Sequence, residues 1–103
     1  MMQDYLDQLR ACATACNDCL RVTTKDEACH HSLRQCTAAL RDAIRAVEGE
    51  EYFASRALVD AADACELVAD RCADSENQTT RQTVEVCRTC VDICREASLV
   101  GVG

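Results

Sequence analysis

The sequence predicts an all-α protein, an up-down-up-down four-helix bundle with a cysteine-lined interior at one end. Three observations lead there. The 103 residues contain no proline and only three glycines, and Ala, Leu, Arg, Glu, Asp and Gln are plentiful, a composition that favours helix throughout. Apolar residues recur at steps of three and four through four stretches of about twenty residues, the period of a buried helical stripe. The ten cysteines keep the same step. Aromatics are limited to Tyr5, Tyr52 and Phe53, so the core must be thin and built from aliphatic and sulfur side chains.

The first helix is expected at about 2–23, with Met2, Leu6, Leu9, Ala13, Cys16 and Leu20 on its stripe. It carries Cys12, Cys16 and Cys19 at i, i+4 and i+7, which is one helical face. Thr24-Lys25-Asp26-Glu27 has the form of a capping box, in which Thr oxygen and Glu carboxylate satisfy free N–H groups. The second helix follows at about 26–48, with Cys29, Leu33, Cys36, Leu40, Ile44 and Val47 inward. Gly49 is its expected stop, free to take the left-handed conformation after a helix end.

The third helix is expected at about 51–75, with Leu58, Ala61, Ala62, Cys65, Val68, Ala69 and Cys72 inward. The polar run Asp74–Thr79 forms the last connection. Thr79 or Thr80 then caps a fourth helix at about 80–98, carrying Val84, Cys87, Cys90, Val91, Cys94 and Ala97. The tail Gly101-Val102-Gly103 is expected to fray. Short connections between four such helices imply an antiparallel bundle, and the length suits one domain, 1–103.

Folding the helices back on one another gives a register for the thiols. With turns centred at Thr24, between Glu50 and Glu51, and at Thr79–Thr80, two levels of four result. Cys12, Cys36, Cys65 and Cys94 would share one, and Cys19, Cys29, Cys72 and Cys87 the other, about 10 Å along the axis. Cys16 and Cys90 would lie between. All ten then fall in the half nearest the first and third turns. Leu6, Leu9, Leu40, Ile44, Val47, Phe53 and Leu58 would fill the opposite half with hydrocarbon.

The formal charge is −7. It argues against nucleic acid, which needs a basic face, and against attraction to anionic membranes. No apolar run has the length to span a bilayer. The N-terminus enters a polar helical pattern without the apolar stretch of an export signal, so a cytoplasmic location is expected. Thiols stay reduced there, and so many of them point to metal or redox chemistry rather than a disulfide scaffold. Were the chain oxidised, pairs such as Cys19–Cys29 and Cys72–Cys87 could bridge neighbouring helices.

Thiolates are soft ligands that select Cu(I), Zn(II) or iron–sulfur clusters. Buried thiolates must be neutralised, and one monovalent ion per sulfur achieves that, which favours Cu(I). A level of four thiolates around Zn(II) leaves a double negative charge, although the geometry suits tetrahedral zinc. An iron–sulfur cluster also takes four thiolates. The candidate metal ligands are therefore Cys12, Cys16, Cys19, Cys29, Cys36, Cys65, Cys72, Cys87, Cys90 and Cys94. His30 borders the inward stripe near the thiol-rich mouth and is a candidate entry ligand, whereas His31 points outward.

Nothing points to an enzyme. There is no Gly-rich phosphate loop, Glu48, Glu66 and Glu85 suit a solvated surface, and Glu27 with His30 is a single Glu-x-x-His pair where a di-iron bundle needs two. A thiol near a helix N-terminus, Cys29 above all, is the candidate for metal-free thiol redox chemistry.

With CxxxC and CxxC pairs in the first and fourth helices (Cys12, Cys16, Cys19; Cys87, Cys90, Cys94) and further inward cysteines in the second and third, the chain resembles the cysteine-rich four-helix-bundle copper-binding proteins, which include the bacterial copper storage proteins. The resemblance covers essentially the whole chain. It implies several Cu(I) ions held by interior thiolates, a role in storing or buffering copper, and often a homo-oligomer. The absence of an export signal resembles the cytosolic branch of that family.

Overall fold

The computed structural model describes residues 2–99, with every side chain among them except that of Met2; the Gly101–Gly103 tail lies outside them. Four helices make up the fold: α1 (Met2–Leu20), α2 (Glu27–Glu48), α3 (Ala54–Arg71) and α4 (Gln78–Leu99). They form an antiparallel ring in which α1 packs on α2, α2 on α3, α3 on α4 and α4 back on α1. The bundle is a rod 40 Å long and 18 Å across.

Each helix turns one stripe inward. In α3 and α4 the buried residues include every one expected, Leu58 to Ala69 and Val84 to Ala97. In α1 the buried stripe is Leu6, Leu9, Cys12, Cys16 and Cys19. Ala13 and Leu20, expected inward, sit at its half-buried edge. Ile44 is also half-buried, and Phe53 is 47% exposed rather than part of the hydrocarbon end. Phe53 lies just before α3, edge-on to the still more exposed Tyr52, with ring centroids 5.5 Å apart.

The ends differ from expectation in ways the caps explain. The capping box at Thr24 does not form: Asp26 is the N-cap of α2, its carboxylate accepting from the Cys29 N–H at 3.2 Å. α1 accordingly stops at Leu20, three residues early. α3 begins at Ala54 and ends at Arg71, with Cys72 as its C-cap.

After α2, Gly49 has φ −85°, and the left-handed residue is Glu50, at φ 51°. The Glu50 N–H donates to Val47 O at 3.1 Å and the Glu51 N–H to Ala46 O at 2.9 Å. That pair of bonds is a Schellman motif displaced one residue past the glycine.

At α4, the Asn77 side chain accepts from the Thr80 N–H at 3.2 Å, so the helix starts two residues before the expected threonine cap. Thr80 is thereby inside the helix and almost wholly buried.

Candidate metal centre

All ten cysteines are buried. Eight are free: Cys12, Cys16, Cys19, Cys36, Cys65, Cys87, Cys90 and Cys94. Cys29 and Cys72 are joined in a disulfide across α2 and α3, with Cα atoms 5.0 Å apart. Bonded sulfur is not thiolate, so in this state these two of the ten candidate ligands have no anionic sulfur to offer. The bond also differs from the pairs that spacing suggested, Cys19–Cys29 and Cys72–Cys87. Instead, Cys29 in the first turn of α2 meets Cys72 at the last turn of α3.

Free thiols in contact form the middle of the column. Cys36 Sγ lies 3.4 Å from Cys65 Sγ, Cys16 Sγ 3.7 Å from Cys87 Sγ and 3.9 Å from Cys36 Sγ, and Cys12 Sγ 3.9 Å from both Cys65 and Cys87. Cys90 and Cys94, one turn apart on α4, are 3.8 Å apart. Three triads keep all their sulfurs within 4.8 Å: Cys12-Cys16-Cys87, Cys12-Cys65-Cys90 and Cys36-Cys65-Cys87. They share corners, because Cys12, Cys65 and Cys87 each belong to two.

The expected pair of four-thiol levels is therefore not what forms. Cys87, placed by sequence beside Cys19, instead joins Cys12, Cys16, Cys36 and Cys65. Cys19 faces Thr80, its Sγ 3.4 Å from the Thr80 hydroxyl, seven residues earlier in α4, or about 10 Å of helix. Cys94 is likewise carried beyond the Cys12 level, towards the end where the Ser55 hydroxyl donates to the Ser98 carbonyl.

Where the fourth sulfur of the second level was expected, the structure has the Thr80 hydroxyl beside Cys19. Thr23, Ser32, Thr80 and Thr83 are all buried. Thr23 bonds the Cys19 carbonyl and, at 3.1 Å, His30 Nδ1. Ser32 donates to the Cys29 carbonyl at 2.8 Å. Thr83 reaches Thr79 O and, across the interface, Ala15 O. Among the described residues no buried side-chain N or O lacks a partner. Sequence reasoning missed this collar although a signal existed: the α4 stripe continues backwards from Cys87 through Val84, Thr83 and Thr80 in the same steps.

Hydrogen bonding between thiols shifts them in both directions. Contacts with Cys12 first, and then Cys16, Cys36 and Cys65, hold the Cys87 thiol well below the usual range. Cys90 is lowered likewise by Cys12, Cys65 and Cys94. The thiols of Cys12 and Cys36 are pushed up, Cys12 chiefly by Cys16 and Cys36 chiefly by Cys12. For Cys65 a lowering contact with Cys12 is outweighed by Cys36, Cys87, Cys90 and burial. Cys94 is raised by Cys90 and burial.

His30 is half-buried beside the first turn and His31 is exposed. Glu48, Glu66 and Glu85 are on the surface, paired with Arg10, Arg95 and Arg88 respectively. A surface groove between α2 and α3, lined by residues such as Ala39, Asp42, Arg45, Phe53 and Asp60, contains no sulfur.

Comparison with known proteins decides the family. The model of the family described as "Csp: Copper storage protein" matches residues 1–99. The chain belongs to the copper storage protein family. No curated protein matches the chain. Among solved structures, "Cu(I)-bound Copper Storage Protein BsCsp3" is similar, at 21% identity, 91% of this chain, 94% of that chain and a TM-score of 0.86. At that identity the likeness concerns the fold, and it places this copper storage family member among four-helix bundles. No described helix of this family member is long and apolar enough to cross a membrane.

Proposed function

We propose that the protein sequesters and buffers Cu(I), with the eight free interior thiols as its ligands and residues 1–103 acting as one domain. The observation that carries this reading is the set of corner-sharing thiol triads, every sulfur buried and within 4.8 Å of its partners. Zn(II) favours closed, separate tetrahedra. Here no thiol level is isolated, and the position that would complete a second four-thiol level holds Thr80 instead. Bridging sulfurs, each shared by two triads, suit a soft monovalent ion of low coordination number. One Cu(I) per thiolate also leaves the interior neutral, where divalent ions on shared thiolates would not. Membership of the copper storage protein family and the Cu(I) bound by the similar protein BsCsp3 support the same ion. A storage role assigns no catalytic step to any residue.

Ions enter at the pole formed by the Arg21–Asp26 and Ala73–Asn77 connections, where Cys19 is the outermost free thiol. From there they pass inward by exchange from sulfur to sulfur, a new bond forming before the old one breaks. The acidic surface supports a partner that is a cation rather than a nucleic acid. A cytoplasmic location keeps the free thiols reduced.

The test is an anaerobic titration with Cu(I) in competition with a strong chromophoric chelator. Several tight equivalents are expected, well above two. Saturation at one or two would leave a trace-metal site and remove the store.

A further inference from the structure

Cys29 and Cys72 stand apart from the eight free thiols in both bonding and position. Cys29 is the third residue of α2, its N–H held by the Asp26 carboxylate, and Cys72 caps the C-terminal end of α3. Helix ends of opposite polarity meet at this sulfur pair. The Ser32 hydroxyl lies 3.9 Å from the Cys72 sulfur. Two sulfurs held within bonding reach across α2 and α3 make a dithiol–disulfide couple. The 5.0 Å Cα separation is in the ordinary range for a disulfide, so the bond opens and closes without moving the helices.

The donors change in kind across this pair. Outside it are exposed His31, Asp26 and Glu27 and half-buried His30; inside it are thiols. Imidazole nitrogen suits Cu(II), and thiolate suits Cu(I). A two-electron couple therefore sits between a surface fit for one oxidation state and an interior fit for the other.

We propose that Cys29 and Cys72 reduce Cu(II) to Cu(I) at the pole through which ions enter the thiol column. The proposal rests on the copper-sequestering reading above. Two Cu(II) ions each take one electron. The Cys29 and Cys72 thiols lose those two electrons and two protons, which pass to water, and the Cys29–Cys72 S–S bond forms. The two Cu(I) ions move to Cys19 and the thiols beyond it. A small dithiol reductant resets the pair, its own two thiols becoming a disulfide as the two protein thiols return.

The experiment mixes the fully reduced full-length chain anaerobically with two equivalents of Cu(II) chloride. The Cu(II) paramagnetic resonance signal should vanish, two Cu(I) should be recovered by chelator, and alkylation mapping should find one new bond, Cys29–Cys72. Persistence of the signal, or a bond between other cysteines, overturns the proposal. The C29S/C72S variant should lose the signal at least tenfold more slowly, and loss at the wild-type rate also overturns it. In a separate arm Cu(I) is given directly to the oxidised chain. Uptake there without any reduction of Cu(II) sinks the redox pair alone, whereas no uptake sinks the store and this proposal with it.

Discussion

At the scale of single residues, Cys87 and Cys19 are a useful contrast. Cys87 sits in two of the three triads and its thiol is lowered by contacts with four neighbours, whereas the close side-chain partner of Cys19 is a threonine hydroxyl. Cys87→Ser should therefore lower the Cu(I) stoichiometry by two or more equivalents, and Cys19→Ser by at most one, both read by chelator competition. Protonation gives the second residue-level expectation. The raised thiols of Cys12, Cys36, Cys65 and Cys94 are protonated at neutral pH in the metal-free protein, and each must release its proton to bind metal. Lowering the pH favours the protonated, metal-free form, so Cu(I) affinity should fall on acidification by about tenfold per unit for each proton displaced. Proton release on loading, followed in weakly buffered solution, checks the sign directly.

At the scale of elements, caps bear on stability and register on capacity. Glu50 occupies the left-handed position of the Schellman motif after α2, a conformation that costs a side chain about 1 kcal/mol and glycine almost nothing. Glu50→Gly should stabilise the metal-free protein by up to about 1 kcal/mol, measured by urea denaturation. The register of α4 matters more, because Cys19 faces Thr80 rather than Cys87. Thr80→Cys should extend the column and add one Cu(I) equivalent. In the register expected from sequence, with Cys87 opposite Cys19, the same change would add none.

Those same elements show what the sequence could reveal. Leu58, Ala61, Cys65, Val68, Val84, Cys87, Cys90 and Cys94 advertise their burial through steps of three and four, which survive any sliding of one helix along another. How far α4 slides is what that pattern cannot give. The α2–α3 register did place Cys29 level with Cys72 and Cys36 level with Cys65, as found, but did not say which level neighbour Cys29 would bond. Helix ends, by contrast, are the least legible feature of an amphipathic stripe.

At the scale of the whole molecule, the Cys29–Cys72 bond closes a loop with a sequence separation of 43 residues. Loop-closure entropy assigns such a link about 4 kcal/mol as an upper figure. Reduction should therefore lower the urea midpoint of the metal-free chain, and Cu(I) loading should raise it, since a ligand that binds only the folded state stabilises it. A midpoint indifferent to reductant would show that the bond constrains nothing.

The sulfur spacing has one more consequence, for speed. Around a trigonal ion with metal–sulfur bonds of about 2.3 Å, neighbouring sulfurs lie about 4 Å apart. The protein already sets its contacting thiols at 3.4 to 3.9 Å. Filling the rod thus asks for proton loss and shifts of a few tenths of an ångström, with no helix rearranging. Such preorganisation lets the pace of charging be set by arrival and ligand exchange at the mouth, and not by conformational change.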